Sequence, residues 1–346
     1  ALSGETGRIV TAKNGDGTQM LYRYEDYYDA TDGDNLTLTL DSAIQSYCES
    51  ILKKGIEQFE VQDGGFCIAM DPNTGEILAW ANSPTYDLNN PRVVSDPVLN
   101  QYLADIESGA YTKEEAYQKA LAEGASSEEA RDKAISAAET EVLYTQWTNK
   151  AITSTYEPGS TFKPFVMAAA MQEHKVNRNT PINCEGGRWT TRYAVIRDTS
   201  SHGVIPANKV IRYSSNIGMA KIGLMLGAHT LYNYLHELGF GERTGLPVSE
   251  SRGILRRPRD WSEVDLMSTS FGQSVSVTPV QMAQAYLTLL NNGVTKPIRL
   301  LRSDTIQTPA DRRQVYSEPV TREVRRMMTE VVEEKDGTGR RARIDG

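Results

Sequence analysis

Two apolar runs, Phe66-Cys-Ile-Ala-Met70 and Glu76-Ile-Leu-Ala-Trp80, flank the turn Asp71-Pro-Asn-Thr-Gly75. A loop that ends in glycine between two such runs predicts a β-hairpin. Long helical patterns follow it, so the expected class is α+β, with a sheet covered by helices rather than a helix bundle. Just upstream, Asn35-Leu-Thr-Leu-Thr-Leu40 alternates as a strand does, and Asp41 is placed to N-cap a helix running to about Phe59. With 346 residues, 39% of them hydrophobic, the chain can bury a large core as one big domain or two modest ones.

Residues 1–34 are rich in Gly, Asp and Tyr and carry turn signals at Asn14-Gly15 and Asp32-Gly33, so they read as a linker or the end of an upstream domain. From about 105 to 147 the composition turns to Ala and Glu. Thr112-Lys-Glu-Glu-Ala116 and Ser126-Ser-Glu-Glu-Ala130 both show a capping-box pattern, which predicts a helical hairpin set in as an insertion. Its charge-rich faces suit plain solvation better than partner docking. Further helices are predicted from Pro164 to about His174, from Ile217 to Leu226 closed by Gly227, and from Thr278-Pro279 to Asn292-Gly293.

The charge balance removes several function classes. Against 37 basic residues stand 45 acidic ones, a net charge of −8, so the basic footprint of a nucleic-acid binder is missing. Four scattered histidines and three widely spaced cysteines form neither a zinc-type spacing nor a disulfide framework, so no metal or other cofactor is expected. No run approaches the roughly 20 apolar residues that cross a bilayer, and residues 1–11 lack signal-peptide character. The numbering opens with Ala rather than Met, which suggests a fragment whose upstream anchor has been removed.

Chemistry concentrates in Glu157-Pro-Gly-Ser160-Thr-Phe-Lys163. On a helix, Ser-x-x-Lys places hydroxyl and amine one turn apart on the same face. There the lysine can accept the serine's proton once burial or a neighbouring cation lowers its pKa from about 10.4. Ser50-Ile-Leu-Lys53 has the same spacing within an ordinary amphipathic helix, so spacing does not choose between them. Context favours Ser160, because Pro158-Gly159 turns the chain into a helix start, where a free backbone N–H can stabilise an oxyanion. A second polar corner, Ser214-Ser215-Asn216, lies between a short helical run (206–213) and the helix from Ile217; by itself it reads more readily as a helix cap than as a site. A Ser-His-Asp hydrolase using Asp198 and His202 is a further option, although no Gly-x-Ser-x-Gly elbow is present.

Taken together, Ser160-x-x-Lys163 and Ser214-x-Asn216 resemble the motifs of the penicillin-recognising serine transferases. More specifically, the chain resembles class B penicillin-binding proteins through Gly33–Asp41, Met70–Ala79, Asn149–Ser160 and Ser276–Tyr286. The resemblance implies a β-lactamase/transpeptidase-like fold over residues 35–346: an antiparallel sheet flanked by helices, with an all-helical lobe beside it and the site between. It implies a D,D-transpeptidase in which Ser160 is acylated, Lys163 takes its proton, Ser214 relays a proton to the leaving D-alanine and Asn216 holds the substrate's peptide amide. The implied ligands are stem peptides ending in D-Ala-D-Ala and β-lactam antibiotics. The implied setting is the outer face of the bacterial cell membrane, on a single N-terminal anchor, beside a membrane glycosyltransferase. The family's Lys-Thr-Gly motif is absent, since neither Arg243-Thr-Gly245 nor Lys335-Asp-Gly-Thr-Gly339 supplies it. Truncation at the C-terminus is therefore expected, and with it weak substrate binding. A β-lactamase or β-lactam sensor, and a non-catalytic scaffold of the division or sporulation machinery, are the competing readings.

Overall fold

The computed structural model describes residues 3–11, 25–302 and 312–344; the Asn14-Gly15 turn lies outside them. A short antiparallel pair, β1 (Arg8–Thr11) with β2 (Glu25–Tyr28), precedes helix α1 (Ser42–Phe59). Asp41 caps that helix as its sequence predicts, accepting from the N–H groups of Ala43 and Ile44 at 2.9 and 3.0 Å. The predicted hairpin follows as β3 (Gly65–Met70) paired antiparallel with β4 (Ile77–Ser83).

Alternation along the strands divides the hairpin's side chains between two layers. Cys67, Ala69, Ala79 and Ala81 meet Cys48 and Leu52 of α1, and these small side chains let the helix lie close. Ile68, Met70 and Trp80 belong to a second cluster with Ile152 of α5 (Lys150–Thr153) and with Val280 and Leu287 of α11 (Pro279–Leu290). Helix, sheet and helix thus form the expected sandwich. Among the described residues the sheet is the hairpin with single-residue bridges, Glu76 to Arg299 and Leu38 to Leu301.

That last bridge is all that forms of the strand predicted at Asn35–Leu40. Leu36 and Leu38 are exposed while Thr39 is buried, the reverse of what the alternation suggests. Thr39 faces inward because its hydroxyl donates to the Ile77 carbonyl at 2.7 Å, so a polar residue is satisfied where a leucine was expected.

Where a helical hairpin is expected at about 105–147, the chain forms three helices, α2 (Pro97–Ser108), α3 (Glu115–Ala122) and α4 (Ser127–Trp147). Ala130, Ala134, Ala138, Val142 and Gln146 make the buried stripe of α4, one residue per turn, and this narrow surface accommodates α2 and α3. The Ser126–Glu129 capping box forms, but the one at Thr112 does not. Residues Ala110–Lys113 make a 3-10 turn instead, and α3 starts after Glu114 with no side-chain cap.

In the helical lobe, α6 (Lys163–Gln172) runs through the middle with all of Lys163–Ala170 buried. Around it pack α8 (Asn216–Leu226), α9 (Ala228–Glu237) and α12 (Glu318–Glu333), with α10 (Glu263–Thr269) against α8. Phe162, Phe165 and Phe240 stack edge-on or tilted at its centre, with centroids 5.0–5.7 Å apart. Two short antiparallel pairs lie beside the lobe: β5 (Pro181–Asn183) with β8 (Val204–Pro206), and β6 (Arg188–Thr190) with β7 (Val195–Arg197). The chain then enters α7 (Ala207–Arg212), which leads to Ser214.

Candidate active site

Ser160 sits where the two regions meet, in a 3-10 turn (Gly159–Phe162) that runs into α6. Its approach is held from both sides. Tyr156 bridges to Val277, Glu157 accepts from the Ser274 N–H at 2.7 Å, and the Tyr286 hydroxyl donates to the Thr161 carbonyl at 2.6 Å. Gly159 has φ +56°, a left-handed conformation that favours glycine, and its N–H donates to the Gly272 carbonyl at 2.9 Å. Gly272 is also left-handed (φ +81°), and a Cβ there would lie 2.1 Å from the Gly159 carbonyl oxygen. Gly272→Ala is accordingly expected to lower stability by roughly 2 kcal/mol or more, read as a fall in the thermal midpoint, because the turn bearing Ser160 has to give way.

Exposed Ser160 and buried Lys163 are linked through a third side chain. Lys163, 2% exposed, donates from Nζ to the Ser214 carbonyl at 2.6 Å, to Ser214 Oγ at 2.9 Å and to Asn216 Oδ1 at 2.8 Å. Ser214 Oγ donates in turn to Ser160 Oγ at 2.8 Å. No hydrogen bond among the described residues runs directly from Lys163 to Ser160; the two are connected through Ser214 instead of by the direct contact that Ser-x-x-Lys suggests. Burial lowers the Lys163 pKa to about 8, although the charge of Asp198 works the other way. Its amine is therefore readily discharged under mildly basic conditions.

Asp198 organises the second corner. It accepts from Ser215 Oγ at 2.5 Å and from the N–H groups of Asn216 and Ile217 at 2.6 and 3.0 Å, anchoring the start of α8. Ser215 caps that helix by accepting from the Gly218 N–H, which frees Ser214 and Asn216 to point at Lys163. The second Asn216 group, Nδ2, donates to the Arg197 carbonyl at 3.2 Å. The Ser-His-Asp option fails on this geometry, because His202 stacks on Tyr213 at 4.3 Å and Asp198 has no bond to it. Ser50 and Lys53 both lie exposed on α1, with neither the burial nor the partners of the other pair.

Arg243 is exposed in a loop whose Thr244 bonds to Glu250, and Lys335 is exposed just past α12. A cavity of about 260 Å³ opens next to Asn216, lined by Val195, Arg197, Met267, Phe271 and Gln273 among others. Among the described residues, no group of three His, Cys, Asp or Glu side chains is placed to hold a metal. Sequence reasoning missed the anchoring role of Asp198 and the contact of Gly272 with Gly159. Both depend on segments that meet only in the fold; the one local sign was a glycine at 272 between two predicted elements.

A hairpin between helices, a helical lobe beside it and a Ser-x-x-Lys turn at their junction define the β-lactamase/transpeptidase-like class of mixed α/β proteins. Residues 65–346 match the family model described as the penicillin binding protein transpeptidase domain, and the chain belongs to that family. It is 30% identical over 316 residues to the probable peptidoglycan D,D-transpeptidase PenA of Neisseria meningitidis, covering 91% of this chain and 45% of that one. It is 29% identical to the stage V sporulation protein D of Bacillus subtilis (100% and 48% covered) and to the peptidoglycan D,D-transpeptidase FtsI of Escherichia coli (90% and 44%). The chain thus spans about half the length of these curated relatives. A crystal structure of a peptidoglycan glycosyltransferase from Burkholderia ambifaria superposes with a TM-score of 0.69 at 26% identity, covering 89% of this chain and 78% of that one. The transpeptidase domain of Burkholderia pseudomallei penicillin-binding protein 3 gives 0.68 at 25%, covering 89% and 73%. These likenesses agree with the class B resemblance carried by the motifs.

Proposed function

We propose that residues 35–346 belong to a peptidoglycan D,D-transpeptidase domain in which Ser160 is the acylated nucleophile. The observation that carries this reading is the hydrogen-bonded path from buried Lys163 through Ser214 to exposed Ser160. When Lys163 is uncharged its lone pair accepts from Ser214 Oγ–H, and Ser214 in turn accepts from Ser160 O–H. Ser160 Oγ then bonds to the carbonyl carbon of the penultimate D-alanine of a stem peptide. The C–N bond to the terminal D-alanine breaks, and the proton held on Lys163 returns through Ser214 to the leaving amine. An amine of a second strand attacks the resulting ester, the C–O bond breaks, and Ser160 recovers its proton as the cross-link forms.

Asn216 has one Nδ2 hydrogen beyond its bond to Arg197, which suits it to a carbonyl of the donor peptide's amide. The work of such a domain lies at the outer face of the bacterial cell membrane, beside a glycosyltransferase that supplies the strands. Among the described residues, no helix is long and apolar enough to cross a membrane. A β-lactam has its leaving nitrogen tethered in the opened ring, so it remains on Ser160 as an ester. Incubation of the full-length protein with a fluorescent penicillin should therefore leave a labelled band that persists after the free drug is removed. Rapid loss of label with release of hydrolysed drug would make the protein a β-lactamase instead, and no band would leave only a scaffold.

A further inference from the structure

A buried carboxylate on α12, outside the path just described, is hydrogen-bonded to the helix that leads to Ser214. Glu330 is 8% exposed and accepts from three groups: the Arg178 guanidinium, Arg212 Nη2 at 2.6 Å and Asn208 Nδ2 at 2.9 Å. Asn208 and Arg212 lie on α7, and Arg178 follows α6 and also pairs with Glu323 at 2.6 Å. One carboxylate therefore ties α12 to the two segments that flank the site. Burial works to raise the Glu330 pKa, but the bonds from Arg212, Arg178 and Asn208 outweigh it and hold the carboxyl below its usual range.

The chain just beyond α12 holds the same α7 end a second time. Asp336 pairs with Arg212 at 3.2 Å and accepts from the Tyr213 hydroxyl at 2.6 Å. The N–H and hydroxyl of Thr338 donate to the Arg212 carbonyl at 3.3 and 3.1 Å. Arg212 and Tyr213 immediately precede Ser214, whose φ of +56° is a left-handed conformation that is uncommon for a non-glycine residue.

We infer that Glu330, with Asp336 beside it, positions the end of α7 for acyl transfer, Glu330 holding Arg212 and Asp336 holding Arg212 and Tyr213 so that Ser214 presents both its carbonyl and its hydroxyl to Lys163. The inference rests on the reading that Ser160, Lys163 and Ser214 carry the reaction. Relaxing Ser214 to an ordinary φ would turn its peptide away from α6. Lys163 would then lose two of its three acceptors and its link to Ser160. Water would reach the amine, whose other influential charge is Asp198, and its pKa would climb from about 8 back toward 10.5.

The test is the pH dependence of acylation of the full-length protein by a fluorescent penicillin, from about pH 6 to about pH 10, in Glu330→Gln and Tyr213→Phe, with thermal melts alongside. Glu330→Gln should acylate about tenfold more slowly near neutrality, with the midpoint of its pH–rate curve moved upward by about one unit. Tyr213→Phe should move the midpoint the same way by less. A folded Glu330→Gln protein with an unmoved midpoint overturns the inference even if it melts earlier, since packing alone would not touch the titration. If Glu330→Gln does not fold, unmoved midpoints in both Tyr213→Phe and Thr338→Val overturn it. Labelling of Ser160→Ala would instead sink the reading of the site itself, a separate failure.

Discussion

Ser160→Ala is expected to form no covalent adduct with a fluorescent penicillin, while Ser50→Ala labels at the unaltered rate. The two serines share the Ser-x-x-Lys spacing and are both exposed, so the comparison isolates what the fold adds. Ser160 accepts from Ser214 at 2.8 Å, which is in turn bonded to an amine almost shut off from water; Ser50 faces solvent next to an exposed Lys53. Without the hydroxyl there is no atom to carry the acyl group, and the loss is complete rather than partial. Normal labelling of the alanine variant, seen on a denaturing gel, would place the nucleophile elsewhere.

The second large effect belongs to Lys163. Lys163→Met roughly preserves volume in the buried slot but removes the proposed base, and acylation should slow by roughly 10²–10⁴-fold, measured as the second-order labelling rate. In the native protein that rate should climb with pH through a midpoint near 8, where half of the amine has lost its proton, and level off above it. A methionine variant with the same rising limb would show that another group titrates.

The sign for stability follows from the same shift. Below about 8 folded and unfolded Lys163 are both charged, and the destabilisation from burying the charge is fully present. Between about 8 and 10.5 the unfolded chain binds the extra proton, so stability should increase with pH across that window.

The elements legible in the sequence were those written in local chemistry. Asp41, Ser126 and Thr278 cap the helices their patterns predicted, and the glycine-closed turn at Asp71–Gly75 joins the predicted strands. Ser160, Lys163, Ser214 and Asn216 are brought together as the motif resemblance implied. What could not be read is the order of the connections. Ser-x-x-Lys spacing suggests a direct serine–lysine contact, yet burial and the left-handed turn after α7 insert Ser214 between them. The strand expected at Asn35–Leu40 failed for a similar reason: the pattern of leucines says which residues are apolar, not that a threonine hydroxyl will find a carbonyl inside. Asp198 looked like a triad member because its neighbours in sequence were visible and its neighbours in space, the first N–H groups of α8, were not.

The backbone of residue 214 leaves the protein with two incompatible preferences at one position. Judged by torsion angle alone, glycine would be the more comfortable occupant by about 1 kcal/mol. Judged by the proposed chemistry, the position needs a side chain that can hand a proton between its two neighbours, which glycine lacks. Backbone comfort and proton traffic therefore pull this position in opposite directions, and a glycine there would relax the chain while cutting the only side-chain link among the described residues between Lys163 and Ser160.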